Sequence, residues 1–260
     1  MASKEPEVES IGQLIEAVRY ARERLSARHL WFRGHACSAW SVEPSLWYQS
    51  YRLVDGRNML QEFRLKAPSR HIKCPPRKEG AEWLTLARHH RLPCLLLDWT
   101  ESPLVAAFFA AAYNQDQYAR QSATIWVLAP TKLNQPRLGE LGYKDTAAVP
   151  YMTDEHFNPL VNLAFGSKPH QGPVCRLALA VRCQEIDPKM MVQQAAFTIH
   201  GPQAKPLNKM QGSDCFLRKL LIPEPSKERI AEELALLGIR ESTLFPDLTS
   251  LARDLAGKKE

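Results

Sequence analysis

Long hydrophobic runs are missing from this chain. The longest apolar stretch covers residues 104–113, well short of the ~20 residues that a membrane-spanning helix requires. The first ten residues lack the apolar segment of a secretory signal and are too acidic for an organellar transit sequence. Closely spaced cysteines are missing too. The six cysteines stand at positions 37, 74, 94, 175, 183 and 215, without the pairing that builds a zinc or redox motif. His35 and Cys37 find no second pair of ligands at zinc spacing, so no metal site is expected. Together these absences point to a soluble cytoplasmic protein with free thiols.

Several catalytic signatures are absent as well. No Gly-x-Ser-x-Gly, Walker loop, His-Glu-x-x-His or Gly-x-Gly-x-x-Gly occurs. Serine hydrolase, P-loop, zinc protease and dinucleotide-fold dehydrogenase chemistry are therefore disfavoured. No helix-turn-helix pattern, arginine-rich run or aromatic RNA-binding signature supports a dedicated nucleic-acid module. The formal net charge of +6 is a modest excess that favours polyanions without naming one.

What is present is an ordinary globular composition over 260 residues, 45% apolar and 24% charged, enough for one substantial core. A single domain is expected over residues 10–255, after a flexible stretch 1–9 and before a short tail 256–260. Ser10 and Gln13 form a capping-box pattern ahead of a helix over residues 11–27. Further helices are predicted near 58–67, 79–90, 104–113 and 156–163, with two more closing the chain after Ser226 and Asp247. Strands are predicted at 29–33, 94–97, 123–128, 177–182, 195–200 and 215–222, and the polar segment 202–214 reads as a mobile link. Strands gathered between terminal helices, without regular alternation, argue for an α+β fold.

Two segments carry most of the polar chemistry. Trp31-Phe32-Arg33-Gly34 sets an arginine at a strand end beside a glycine that permits close approach of a ligand or a sharp turn. Arg33 offers a planar fork for a phosphate or ribose-phosphate group, or equally a partner for a buried carboxylate such as Asp98. The run from Leu95 ends in Asp98-Trp99-Thr100-Glu101-Ser102 before Pro103 opens an apolar helix. One of Asp98 and Ser102 is expected to cap that helix, which leaves Thr100 and Glu101 as ligand contacts. His89, in Arg88-His89-His90-Arg91, is either a proton-transfer group or part of a solvated basic helix end. Gln193 and Gln194 open the strand that carries Phe197. A glutamine orients substrates by hydrogen bonds but cannot serve as a general base.

Trp31 to Gly34, Glu62-Phe63, Ala87 to Pro93 leading into Leu96 to Thr100, Gln193 to Gly201, and Thr243 to Leu248 resemble, in order, the FRG domain family. The chain departs from the usual pattern in having Arg91, Cys94 and Leu95 where glycine, threonine and arginine are common. A second resemblance is to ADP-ribosyltransferases of the arginine-serine-glutamate class. It rests on Arg33, then Thr100 and Ser102 before the helix 105–111, then the Gln193 strand.

This second resemblance implies a split β-sheet core flanked by helices, and an NAD cleft. Arg33 would bind the phosphate or ribose, Thr100 and Ser102 would brace the nicotinamide side, and Trp99 or His89 would flank the ring. Gly34 and Phe197 complete the implied cofactor-binding set, while Asp98, Gln193 and His89 join Arg33 as catalytic candidates. Where the transferases place a glutamate this chain has Gln193 and Ala195, so Asp98, Glu101 or Glu185 would have to supply the charge. The implied function is NAD-dependent modification of a nucleic acid or protein, as a toxin or antiphage effector, with a regulatory protein partner. The alternatives are a nucleotide sensor without turnover and a basic nucleic-acid-binding domain.

Overall fold

The computed structural model describes residues 5–113, 115–144, 148–165 and 172–257. Among these residues, six strands form one antiparallel sheet in the order β4-β5-β2-β1-β3-β6. They are β1 (Trp31–His35), β2 (Leu96–Thr100), β3 (Ala123–Leu128), β4 (Ala178–Val181), β5 (Ala195–His200) and β6 (Leu217–Ile222). The α+β class read from the sequence is what the chain adopts.

Pairing along the sheet is uneven. Each of the β1/β3, β3/β6 and β2/β5 ladders runs over at least five residue pairs. β1 and β2 share a single pair, Phe32 opposite Thr100. The sheet is thus two three-stranded halves joined at a narrow seam.

Helices cover both halves. α1 (Ile11–Leu25) buries Leu14, Ala17, Ala21 and Leu25 and stops at Ser26 in the left-handed conformation. Of the predicted capping box one half forms, Ser10 Oγ accepting from Gln13 N–H, while Gln13 Oε1 accepts from Glu9 N–H instead of Ser10 N–H. α2 (Leu53–Lys66), α3 (Gly80–His89) and α5 (Asn158–Phe165) pack together beneath the β2-β5-β4 half, around Leu84, Phe157, Leu160, Leu179 and Phe197. α4 (Pro103–Ala111) and α7 (Lys227–Leu236) join α1 against β1, β3 and β6, around Phe32, Ile125, Leu220 and Ile230. The opposite face carries Trp31, Leu97, Trp99, Trp126 and Leu128. Adjacent residues of a strand serve opposite faces because their side chains alternate. Three further helices are α6 (Pro188–Val192), α8 (Glu241–Leu244) and α9 (Leu248–Gly257).

The differences from the predicted elements have physical reasons. β1 starts two residues later than expected because Trp31 to His35 is the stretch that pairs with β3. β2 continues to Thr100, so Asp98 lies within a strand rather than at a corner. α2 starts at Leu53, earlier than predicted, where Asp55 accepts from the Arg52 backbone. The segment 202–214 is tethered rather than loose: Leu207 is fully buried, its N–H donates to Val42, and Asn208 accepts from Val42 in return. Of the N-terminal stretch read as flexible, residues 1–4 lie outside the described residues. Val8 is buried and donates to Leu221 of β6. Of the tail, residues 258–260 also lie outside them. Among the described residues, no helix is long and apolar enough to cross a membrane.

Candidate active-site cleft

The seam opens into a cavity of about 420 Å³, within the range of small-molecule sites. Arg33, Gly34, His89, Asp98, Trp99, Thr100, Gln193 and Phe197 all line it. Ser102 does not, and its hydroxyl accepts instead from Val105 N–H as the N-cap of α4.

At the inner end, Arg33 bends into the seam. Where the β1/β2 ladder stops, the Asp98 carbonyl accepts from Arg33 Nη1 at 2.7 Å, so the guanidinium satisfies a backbone group the sheet leaves over. Arg33 Nε donates to His35 Nε2 at 3.0 Å, which requires a neutral imidazole. Burial and then the Arg33 charge depress His35 well below the usual histidine range. His200, fully buried on the same face, is pushed down to about 3 by burial first and Arg33 second. Arg33 itself is lowered to about 10 by desolvation, with Arg88 adding to the effect and Asp98 opposing it, and stays charged at neutral pH.

Asp98 belongs mainly to Arg88. Arg88 Nε lies 2.9 Å from both carboxylate oxygens and its Nη1 donates to Ser45 Oγ at 2.8 Å, whereas Arg33 Nη1 stands 3.8 Å from Asp98 Oδ2. The Asp98 side chain keeps 39% of its surface accessible, and Asp98 lines the cavity. Burial would raise its carboxyl, but Arg88 and then Arg33 outweigh that and hold it below the usual carboxylate range. The pairing of Arg33 with Asp98 weighed from sequence is therefore the weaker of two. The dominant partner, Arg88, left no local signal, because it comes from the far end of a helix crossing β2.

The remaining predicted residues are largely spent on structure. Gly34 is needed for packing: a Cβ there would sit 2.0 Å from the Ala106 carbonyl oxygen and 2.7 Å from Ala110 N, both backbone atoms of α4. The close approach that glycine allows is that of a helix. Thr100 Oγ1 donates to the Gln193 carbonyl at 2.6 Å and accepts from Ser102 N–H at 3.0 Å. The Gln193 amide donates to the Leu244 carbonyl at 2.8 Å, which ties β5 to the C-terminal helices. Trp99 and Phe197 are almost fully buried, and the Trp99 indole donates to Thr198 Oγ1 at 3.1 Å. His89 pairs through Nε2 with Asp187, the N-cap of α6. Burial, with Lys189 and His90, still lowers His89 below its ordinary value. Glu101 faces Arg182 at 3.5 Å. Neither Glu101 nor Glu185 lines the cavity, and Asp98 is the sole carboxylate among the described lining residues.

The sequence reading missed the walls and the mouth. Phe109, Tyr113 and Phe245 form an aromatic cluster, with Tyr113 and Phe245 stacked at 5.4 Å and 21°. Trp40, Tyr48 and Tyr118 also line the cavity, as do the cations Arg91 and Lys189. Phe109 and Tyr113 stand four apart at the end of the predicted helix 104–113, but the others come from separate loops and helices, and no sequence spacing connects them to that pair.

The structure thus defines an α+β domain with a basic, aromatic-walled cleft at the seam of an antiparallel sheet. Residues 28–119 match the model of the FRG domain family. The match spans β1 through α4, which supply Arg33, Arg88, Asp98 and Thr100, and stops short of β5. No curated protein and no solved structure matches the chain.

Proposed function

We propose that this cleft binds NAD or a closely related nucleotide, on an ADP-ribosyltransferase-like frame. The observation that carries the reading is the cavity lining itself, where Arg33, Arg88, Arg91 and Lys189 face one carboxylate amid six or more aromatic rings. Guanidinium groups recognise phosphate oxygens by paired hydrogen bonds, and aromatic walls suit flat heterocycles. The seam between β1 and β2 supports the split-sheet part of the reading, because it sets Arg33 at the junction of two three-stranded halves.

Cleavage of the nicotinamide bond would generate positive charge at the ribose carbon, which an anionic group must stabilise. Asp98 is the acid in reach, and it is already shared by two guanidinium groups. Gln193, at the position of the transferase glutamate, is tied to Leu244. These two facts favour, as a second reading, a sensor that recognises the nucleotide without turning it over. An effector that modifies nucleic acid or protein requires turnover.

Calorimetric titration of NAD into the wild-type protein and Arg33→Lys tests the first reading, with circular dichroism as the control for folding. NAD is expected to bind, and the variant to bind about tenfold more weakly, because lysine cannot reproduce a planar fork. No binding by folded wild-type protein overturns the proposal. NAD consumption in the presence of whole-cell lysate separates the two readings: turnover supports a transferase, and saturable binding without turnover supports a sensor.

A further inference from the structure

Four non-glycine residues among those described have positive φ, and one of them, Arg91 at +63°, lines the cleft. It follows the end of α3, where Arg91 N–H donates to Arg88 and Leu92 N–H to Ala87. This is the left-handed helix terminus that glycine adopts without steric cost and that a branched side chain resists. Backbone strain retained at a cavity wall directs attention to what the side chain does there.

The Arg91 guanidinium donates to the Tyr113 hydroxyl at 3.1 Å and has no ion-pair partner among the described residues. Lys189, on α6, holds its ammonium 5.1 Å from the centre of the Phe245 ring. The one carboxylate beside Lys189 at this end, Asp187, is occupied by His89. The two cations act on each other, since burial first and then Arg91 depress Lys189. At the inner end the guanidinium groups are ion-paired to Asp98, whereas at the mouth Asp187 and Asp98 act on Lys189 through their fields without an ion pair to it or to Arg91 among the described residues.

We infer that Arg91 and Lys189 form an outer anion subsite that holds a phosphate of the bound nucleotide, so that the cleft selects ligands whose pyrophosphate spans from the inner arginines to the mouth. The inference deepens the nucleotide reading and rests on it. It assigns Arg91 a binding role for which the fold carries a local strain, and it therefore predicts opposite signs for affinity and stability.

The test compares wild type, Arg91→Gly and Arg91→Lys by calorimetric titration with NAD and with ADP-ribose, alongside thermal unfolding without ligand. Arg91→Gly is expected to weaken both ligands by roughly fivefold to tenfold, the loss of one charge-assisted contact. The same variant is expected to unfold about 2 °C higher, through relief of the left-handed strain. Arg91→Lys keeps the charge and the strain, so its affinity should stay within about threefold of wild type and its Tm should not move. Unchanged affinity in Arg91→Gly overturns the inference, and so does a loss of affinity together with a lower Tm, which would make Arg91 a structural residue. If wild type binds neither ligand, the cleft reading fails and this one fails with it. Binding by wild type together with unaltered Arg91→Gly affinity removes this inference alone.

Discussion

The two polar segments at the corners of the cleft, Trp31 to His35 within β1 and Asp98 to Ser102 from the end of β2, both divide their residues between the cavity and the mounting of α4, but they mount it in different ways. In the first corner Arg33 serves the cavity, while Gly34 serves the helix by having no side chain at all. In the second, Asp98 serves the cavity, while Ser102 serves the helix with one hydrogen bond to Val105 N–H at 3.4 Å. A contact between backbones leaves nothing to adjust, whereas a hydroxyl at the long limit of hydrogen bonding is easily replaced. The cleft therefore depends much more on a glycine than on a serine, although the serine has the richer chemistry.

The widest difference should appear with Gly34→Ala. The added methyl would overlap the Ala106 carbonyl oxygen and the Ala110 nitrogen, so β1 and α4 would have to separate. Overpacking of cores typically costs about 1–3 kcal/mol, and a clash with rigid helix backbone should reach or exceed the top of that range. Urea unfolding is expected to show that loss or a failure to fold. A stability within 0.5 kcal/mol of wild type, the usual scatter of surface changes, would show that the two mountings are equivalent.

How much of this was legible in the sequence divides along the same line. The bounds of β3 and β5 follow from β-forming residues between turn-rich flanks, and the start of α1 from its Ser10 cap, because these are local preferences that the tertiary structure reinforces. The resemblance gathered eight of nine proposed site residues into one cavity. It could not say that Thr100, Gln193 and Trp99 spend their polar groups on internal bonds, which depend on strand pairing. Arg88 was passed over as a helix-end charge because its carboxylate arrives from another element. The cost of an arginine at position 91, where the resemblance implies a glycine, shows only in its backbone φ of +63°.

An intermediate effect should separate the corners by pH. The first corner keeps Arg33 beside two neutral histidines, His35 and His200, and the second keeps an ionised Asp98. A buried histidine with a depressed pKa takes up a proton on unfolding, so stability is complete above the unfolded value near 6.5 and falls as pH drops towards the folded value, about 3 for His200. Each such histidine contributes a slope of up to about 1.4 kcal/mol per pH unit. The depressed Asp98 gives stability above its ordinary carboxylate pKa and loses it only at lower pH still. Stability is therefore expected to decline from about pH 6.5, well before carboxylates protonate. His200→Gln should flatten that limb by close to one proton's worth in urea titrations at pH 7, 6 and 5. An unchanged slope would mean that His200 is protonated in the folded protein.

The smallest effect belongs to Ser102→Ala. Loss of an N-cap costs about 0.5–2 kcal/mol, and a 3.4 Å bond belongs at the low end. Pro103 already sets the first helical φ of α4, and the Ser102 N–H keeps its bond to Thr100 Oγ1 without the Ser102 hydroxyl. Nucleotide affinity should therefore remain within about twofold of wild type while Tm falls by roughly 1–2 °C. A loss of affinity without a loss of stability would instead place the Ser102 hydroxyl on the ligand. That result would restore the bracing role the transferase resemblance implies, and it would require the α4 terminus to rearrange when the cleft fills.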